Sequence, residues 1–396
     1  MVRKFQKLDS LILIILLIFS VICVLTLHSA TLNASSEFAN SANKMAIFYA
    51  LGLVVMLIVS FFDYKWILKL SPLIYLISTG LLAFVLISNK KINNSSGWIS
   101  LPGGLSFQPA EFAKLAVVLI LVAYLQKMNP ADHHLRFFKH IIPLGLLTGV
   151  PFAFILMQPD LGNALALIVI LVAVYWVANI RFLHFLIGFV ITGVVIAGTY
   201  YWYDRNHDEI KAYLDQKQKG HWVQRIDAMF FPSKASKDDL YHVRNATIAI
   251  GSGQFLGEGY TKGDSVQNHF VPYPYADSVF AVIGEEFGFA GSSLLIFLFF
   301  LLIYRLMIIA IECFHSSGSY IAVGLIAMLI FQIFENIGML VGRMPLTGIT
   351  LPFISYGGTS LLINMLSMGL IMSIRIHNVD PNPGLTFAST DKSKSM

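Results

Sequence analysis

The sequence predicts an all-α polytopic membrane protein, and two observations carry that prediction. Of the 396 residues, 56% are hydrophobic and only 12% are charged, with a mean hydropathy of +0.71. A soluble domain of this size needs more charged residues to cover its surface. The apolar residues are also gathered in windows of about 20 residues, the length of helix that crosses the hydrocarbon core of a bilayer.

About ten windows have this length and composition, and we treat residues 1–396 as a single integral membrane domain. The windows cover residues 11–27, 45–62, 73–88, 112–125, 141–157, 161–178, 183–203, 279–303, 320–341 and 359–374. Residues 204–277 form a long polar segment before the eighth window, and residues 376–396 follow the last one as a tail. No small-residue cleavage site of the A-x-A type follows the first window, so we expect a retained helix there.

Lysine and arginine residues predict the orientation of these helices, because cytoplasmic loops carry an excess of basic residues. An even number of spans places both termini in the cytoplasm and makes residues 204–277 a long extracellular loop. The basic residues then assigned to the cytoplasm include Lys65, Lys69, Lys127, Arg136, Lys139, Arg181, Arg305, Arg375, Lys392 and Lys394. The short outer loops hold only Lys44, Lys90, Lys91 and Arg343. The net charge of +5 therefore reflects topology rather than affinity for nucleic acid.

With this topology, polar and ionisable residues from four separate segments converge on the outer face. The segments are SFQPAEFAKLAVVL, MQPDLGNALAL, GRMPLTGITLPFISYGGTS and the start of the eighth window, ADSVFAVIGEE. Their candidate site residues are Glu111, Lys114, Asp160, Arg343, Ser355 and Asp277. Charged residues in a membrane are costly, so they are usually paired, face a wet cavity or carry function.

Most of these residues also have a purely structural interpretation, and the residues alone leave both interpretations open. Glu111 and Lys114 are three residues apart, on one side of a helix, and can pair with each other. Asp160 stands directly before a predicted helix and can cap it. Asp277 likewise stands at a helix N-terminus, where a carboxylate is favourable.

Glu285 and Glu286 lie two turns inside the eighth window. They point about 100° apart on a helix, so at most one of them faces a given cavity. Glu285 lies about 12 Å along the helix from Asp277, too far to share one proton transfer. We therefore expect both glutamates to make buried structural hydrogen bonds and to support the helix that follows Asp277.

Nucleotide and zinc motifs are not present in the sequence. The segment GSGQFLGEG has the spacing GxGxxxG, follows no parallel strand and has no Walker lysine–serine pair, so we expect no nucleotide cofactor. His133 and His134 have no Cys or carboxylate partner at the spacing of zinc ligands.

Five long segments resemble, in order and in spacing, the signature segments of the SEDS family (shape, elongation, division and sporulation). They are GWISLPGGLSFQPAEFAKLA, QPDLGNAL, RNATIAIGSGQFLGEGYTKG, ADSVFAVIGEEFGFAG and ENIGMLVGRMPLTGITLPFISYGGTSLL. Within the family, WISLPG and the ending SMGLIMSIRIHN resemble the elongation (RodA-like) branch more than the division (FtsW-like) branch.

The resemblance implies a multi-pass peptidoglycan glycosyltransferase of the bacterial plasma membrane, which polymerises lipid II at the outer face for cell elongation and shape. Lipid II carries its sugars on undecaprenyl pyrophosphate, so the reaction needs a lipid-facing groove and no nucleotide. The partners implied are a class B penicillin-binding protein, which cross-links the strands, and other membrane proteins of the elongation machinery. No nucleic acid is expected.

The resemblance also assigns roles to the candidate residues. The family's catalytic aspartate matches Asp277, as the general base that takes a proton from the acceptor hydroxyl in an inverting transfer. The leaving pyrophosphate calls for positive charge, from Lys114 first, from Arg343 or Arg225, or from a divalent cation such as Mg²⁺ or Mn²⁺. No metal ligand is assigned. The remaining substrate-binding candidates are Glu111, Asp160 and Ser355.

The chain departs from the family pattern beside Asp277. Members commonly have Pro-Glu-x-His-Thr-Asp-Phe there, whereas residues 272–278 of this chain are Pro-Tyr-Pro-Tyr-Ala-Asp-Ser. The missing Glu and His weaken any assignment of a metal to this turn. The basic residue that many members have before the tryptophan is Gly97 here, before Trp98, and Lys90 or Lys91 is the candidate substitute.

Two other functions fit ten helices with charges near the membrane: a flippase that transports lipid II, and a non-catalytic scaffold of the cell-wall machinery. A transporter needs polar groups in both halves of the membrane, whereas the candidate residues here converge on the outer face. A scaffold leaves the outer carboxylates unexplained.

Overall fold

The computed structural model describes residues 6–33, 40–88, 97–101, 105–127, 135–216, 223, 227 and 237–379. Arg225, Lys90, Lys91 and most of the tail 376–396 lie outside these residues. The described chain is helical, apart from two short strands, Ile99–Leu101 (β1) and Leu105–Phe107 (β2), which pair antiparallel.

Each of the ten predicted windows lies within a helix or extends one residue past it. The helices are Ser10–Ala30 (α1), Ser41–Phe61 (α2), Tyr64–Lys69 (α3), Ser71–Ser88 (α4), Pro109–Leu125 (α5), Ile142–Met157 (α6), Leu161–Val177 (α7), Phe182–Arg205 (α8), His207–Gln216 (α9), Lys237–Ser252 (α10), Asp264–Gln267 (α11), Val279–Ile311 (α12), Ser316–Leu340 (α13) and Gly358–Ile376 (α14). A π-helical turn, Phe137–Ile141, runs directly into α6.

Within the described residues, eight helices are long and apolar enough to cross a membrane. The other two predicted spans, α5 and α7, have 17 residues each, at the lower limit for a spanning helix. The prediction of a helical polytopic membrane protein is confirmed. The number of spans and their orientation stay predictions.

The helices α5, α13 and α14 form the centre of the bundle, with most of their residues buried. α14 packs along α2 at close range because glycines lie on the contact. A Cβ atom at Gly369 would lie 2.7 Å from the carbonyl oxygen of Met56, and one at Gly52 would lie 2.8 Å from Met365 Cγ. Larger residues at either position would push the two helices apart.

α8 lies at the edge of the bundle, and almost all of its side chains are exposed. Its start contacts the neighbouring elements through aromatic rings: Phe185 meets Trp176 edge to face, with centroids 5.2 Å apart, and His184 lies beside Phe137. A helix that is apolar on every side and exposed on every side fits a lipid environment.

α12 is broken at Gly288, which has a φ of +62°. The glycine-rich segment GSGQFLGEG satisfies the backbone groups that the break leaves open. Four backbone hydrogen bonds do this, from Glu258 to Glu285, from Gly259 to Glu286, from Phe289 to Gln254 and from Ala290 to Phe255. Irregular backbone in a membrane protein requires such internal partners. This segment therefore has a structural role at the break, and α10 leads directly into it.

A carboxylate and two arginines join three helices at the opposite end of α12. Asp9 caps α1 by accepting from the amides of Leu11 and Ile12, and it is only 2% exposed. Its Oδ2 atom also accepts from Arg305 Nε of α12 at 2.5 Å and from Arg375 Nη1 of α14. This cluster fixes the predicted cytoplasmic ends of α1, α12 and α14 relative to one another.

Asp9→Asn should lower the free energy of unfolding in mixed micelles by about 1–3 kcal/mol. Asparagine still caps the helix, but it leaves two guanidinium groups without their carboxylate, and losing one partner of a buried pair is costly. The partial exposure of the arginines reduces that cost.

Asp63→Asn is the matched control, because Asp63 caps α3 through the amide of Lys65 without an arginine partner among the described residues. Its effect should stay below about 1 kcal/mol. Equal effects of the two substitutions would contradict a role for the charge of Asp9.

Candidate active site

Asp277 lies in the turn that leads into α12, and its side chain is partly buried. The turn closes on itself, since the amides of Ala276 and Ser278 both donate to the carbonyl of Tyr273. α12 therefore begins after Ser278, which holds the N-cap position and makes no capping hydrogen bond with its side chain. Asp277 thus stands one residue before the N-cap position, still at the helix N-terminus, where a carboxylate is favourable.

Asn336 of α13 holds this turn from inside the bundle. Its Nδ2 group donates to the carbonyl of Asp277 and to the carbonyl of Ile349, both at 2.7 Å, and the residue is 0% exposed. One side-chain amide thus connects α13, the turn that carries Asp277, and the segment between α13 and α14. Asn336 is not among the residues predicted from the sequence, although an amide inside an apolar spanning window is itself a signal of function or of a buried bond.

The segment 342–357 between α13 and α14 forms the other side of the turn. The amide of Tyr356 donates to the carbonyl of Tyr275 at 2.9 Å, and their rings meet edge to face. Gly348 of this segment has a φ of +73° and lies beside the Asp277 carboxylate. A Cβ atom at Gly348 would be 3.7 Å from Asp277 Oδ2. The carboxylate of Asp277 is therefore presented between α12 and this segment, on a backbone fixed at two points.

Lys114 and Glu111 pair with each other in the first two turns of α5. Lys114 Nζ donates to Glu111 Oε1 at 2.8 Å, and the two residues are 0% and 4% exposed. Each charge compensates the other at a depth where either alone would be costly. The mutual pairing expected from their spacing is present, and one of the three ammonium hydrogens is used in it.

Asp160 caps α7, as the structural interpretation expected, and it also reaches α5. It accepts from the backbone and the side chain of Asn163, at 3.1 and 2.9 Å, and from Gln108 Nε2 at 3.1 Å. Gln108 is the residue that precedes α5. Asp160 thus joins the starts of two helices, one of which carries the Lys114–Glu111 pair.

The remaining candidates differ in their surroundings. Ser355 is buried and its Oγ accepts from the amide of Leu351 at 2.8 Å, so it shapes the segment 342–357. Arg343 is exposed at the start of that segment. Arg225 lies outside the described residues, so its role stays a prediction.

Glu335 is a buried carboxylate that the sequence analysis did not single out. Its Oε1 accepts from Thr347 Oγ1 at 2.6 Å, and the residue is 0% exposed. Thr347 and Ile349 pack directly on α7, where a Cβ atom at Gly162 would lie 2.5 Å from Ile349. Glu335 therefore anchors the segment 342–357 one residue away from Gly348.

No three His, Cys, Asp or Glu side chains come together as a metal site in the part of the chain that the structure describes. A divalent cation at the site stays a prediction. Magnesium commonly takes only one or two carboxylates, with water and substrate phosphates as its other ligands.

Comparison with known proteins identifies the family. The FtsW/RodA/SpoVE model, described as a cell cycle protein, matches residues 6–380. The chain belongs to this family. It is the SEDS family that the five sequence segments resemble, so that resemblance is confirmed.

The SEDS relatives are similar over nearly their whole length. Stage V sporulation protein E of Bacillus subtilis (strain 168) is 31% identical over 389 residues, covering 94% of this chain and 98% of that protein. Peptidoglycan glycosyltransferase MrdB of Escherichia coli (strain K12) is 30% identical over 371 residues, covering 93% and 94%. A solved chain from a peptidoglycan synthase complex that coordinates polymerization and crosslinking matches with a TM-score of 0.73 at 26% identity, covering 93% of this chain and 97% of that chain.

In this SEDS chain, Glu285 and Glu286 both accept hydrogen bonds from other segments. The Glu285 carboxylate accepts from the amides of Ser265 and Val266 at 2.6 and 3.1 Å, at the start of α11. The Glu286 carboxylate accepts from Ser29 Oγ of α1. The expectation of buried structural hydrogen bonds is met for both residues.

Glu285→Gln should lower the free energy of unfolding by about 1–3 kcal/mol, because the amide keeps one acceptor oxygen where two backbone amides now bind a carboxylate. Glu258→Gln is the matched control: among the described residues Glu258 accepts one bond, from the amide of Asp264 at 3.0 Å, near the surface. That control should change stability by less than half as much. Unchanged unfolding of Glu285→Gln would argue against a structural role.

Proposed function

We propose that this SEDS chain is a peptidoglycan glycosyltransferase, which polymerises lipid II at the outer face of the bacterial plasma membrane. The observation that carries the proposal is the placement of Asp277, a partly exposed carboxylate on a turn whose backbone is held by Asn336 and Tyr356. The names of its full-length relatives support the same chemistry.

Asp277 acts as the general base in the proposed reaction. The acceptor-sugar hydroxyl gives its proton to the Asp277 carboxylate as the oxygen attacks the anomeric carbon of the donor. The bond between that carbon and the pyrophosphate oxygen breaks, and the configuration at the carbon inverts. Both electrons of the broken bond leave with undecaprenyl pyrophosphate. Because the donor already carries this leaving group, the reaction needs no nucleotide.

Lys114 supplies positive charge for the leaving pyrophosphate. An ammonium in a buried site acts in a low dielectric, where it stabilises developing negative charge more than it would in water. Glu111 pairs with Lys114 before substrate arrives, and Arg343, exposed at the start of the segment 342–357, is a second candidate cation. A divalent cation bound with substrate would add to this charge.

The chain works with a partner that cross-links the strands, namely a class B penicillin-binding protein. This chain is similar to a solved chain from a peptidoglycan synthase complex that coordinates polymerization and crosslinking, and that similarity supports the assignment. We place the chain in the elongation, RodA-like branch, together with other membrane proteins of the elongation machinery. The division, FtsW-like branch is the alternative.

Asp277→Asn should reduce lipid II polymerisation by about 10²–10⁴-fold, the usual effect of removing a general base. Its unfolding transition should change little, because the bond from Asn336 goes to the backbone carbonyl of residue 277, which asparagine keeps. The assay uses purified protein in detergent with a transpeptidase-inactive partner, without nucleotide or gradient, and measures strands that a muramidase digests.

The wild-type protein in this assay also separates an enzyme from a transporter. Transport of lipid II across vesicles without any polymer would instead establish a flippase.

Lys114→Ala should abolish polymerisation, and Lys114→Arg should retain a small part of it, since the charge remains but its shape changes. The alanine variant also leaves Glu111 unpaired and buried, which destabilises the fold. The double variant Lys114→Met with Glu111→Gln removes both charges together and should recover stability without recovering activity. A stable and active double variant would contradict the role of Lys114 with pyrophosphate.

A further inference from the structure

His242 of α10 contacts the residue next to Asp277. Its Nε2 atom lies 2.9 Å from Ser278 Oγ, and the residue is 9% exposed. Ser278 is the last residue before α12. A side chain from the segment 204–277 therefore reaches the same turn that Asn336 holds from the opposite side, within α13.

The ring of His242 also lies beside the first residue of that turn. The His242 and Tyr273 rings have centroids 6.5 Å apart, within the range of favourable aromatic pairs. Tyr273 and Ser278 are the two ends of the turn, because the Ser278 amide donates to the Tyr273 carbonyl. One imidazole thus contacts both ends of the turn that carries Asp277.

The backbone of α10 is itself fixed to the rest of the protein around His242. Asn245 Nδ2 donates to the carbonyl of Phe270 at 2.8 Å. A Cβ atom at Gly342 would lie 3.4 Å from Val243, so α10 also touches the start of the segment 342–357. His242 is therefore held at a defined place and can restrain the turn rather than follow it.

The charge state of His242 suits a position beside a general base. Burial lowers the pKa of His242, so the ring is neutral near pH 7 and offers one donor and one acceptor. A protonated ring would favour the ionised form of Asp277 and weaken it as a base. A neutral ring restrains the turn without that penalty.

We propose that His242 is a positioning residue for the reaction proposed above, holding the Asp277 turn in its reactive geometry through Ser278 and Tyr273. The inference rests on the proposed function for its kinetic consequence, and on geometry alone for its structural one. It assigns a role in turnover to a helix of the segment 204–277 that contributes no acid or base to the reaction.

Two substitutions of His242 separate its hydrogen bond from its packing. His242→Phe keeps a ring beside Tyr273 but loses the bond to Ser278, and it should lower kcat about tenfold with less than a twofold change in KM. His242→Gln keeps a polar group near the place of Nε2 and should restore kcat to within about threefold of wild type. Ser278→Ala should match His242→Phe, and the double variant should be no slower than either single one.

Thr247→Val is the matched control, since it removes a hydrogen bond from the same helix to the carbonyl of Leu340 without touching the turn. It should leave kcat within about threefold of wild type. Wild-type kcat in His242→Phe, equal losses in the Phe and Gln variants, or additive losses in the double variant would overturn the proposal.

Hydrogen exchange tests the structural part without relying on polymerisation. The Ala276 and Ser278 amides donate within the turn, and their exchange should be about tenfold faster in His242→Phe and unchanged in Thr247→Val. If exchange is faster in His242→Phe but the wild-type protein makes no polymer, the proposed function is refuted and the restraint of the turn by His242 stands. Unchanged exchange would refute the restraint, whatever the activity.

Discussion

The candidate site depends on the side-chain amide of Asn336, which donates to two carbonyls from different segments. Both segments, the turn before α12 and the segment between α13 and α14, are irregular backbone at the end of a helical bundle. In such a place a carbonyl without a partner is costly, so irregular backbone persists only where the protein supplies internal donors. Asn336 supplies them from a buried helix, and thereby sets the distance between the two segments that flank the Asp277 carboxylate.

The helices that carry the site are also the ones fixed at the opposite end of the bundle. α12 begins next to Asp277 and carries Arg305, while α14 begins after the segment 342–357 and carries Arg375. Both arginines bind Asp9 of the capped α1. Close glycine contacts hold α14 against α2. The two ends of the bundle are therefore connected by packed helices, of which α12 is broken at Gly288 and held there by the segment GSGQFLGEG.

The sequence predicts those features that depend on residues close together along the chain. Runs of apolar residues predict the positions of the long apolar helices, and the spacing of Glu111 and Lys114 predicts their pairing. The cap formed by Asp160 follows from its place before α7. The hydrogen bonds expected for Glu285 and Glu286 follow from the cost of a carboxylate inside an apolar helix.

The remaining features depend on partners far apart in the chain. Asn336 and Asp277 are 59 residues apart, and His242 and Ser278 are 36 apart. No periodicity in the sequence indicates that such residues meet. The start of α12 at Val279 agrees with the predicted window, with Ser278 at the N-cap position and Asp277 one residue before it.

The segment GSGQFLGEG shows the same limit of local patterns. Its glycines resemble a phosphate loop in composition, whereas in the structure they allow the backbone to approach the break in α12. A Cβ atom at Gly257 would lie 2.1 Å from the carbonyl oxygen of Glu286. Glycine is needed there for close approach, and the approach is visible only once both segments are placed.

In the proposed reaction, the fixed turn presents Asp277 to the acceptor sugar of lipid II. The most direct measurement is a cryo-electron microscopy structure of the Asp277→Asn variant with lipid II and its penicillin-binding partner, since this variant should bind substrate without consuming it. We expect an acceptor hydroxyl within about 3 Å of the side chain at position 277, with the pyrophosphate of the donor toward Lys114. Sugars bound elsewhere, with no hydroxyl within about 6 Å of that side chain, would contradict it.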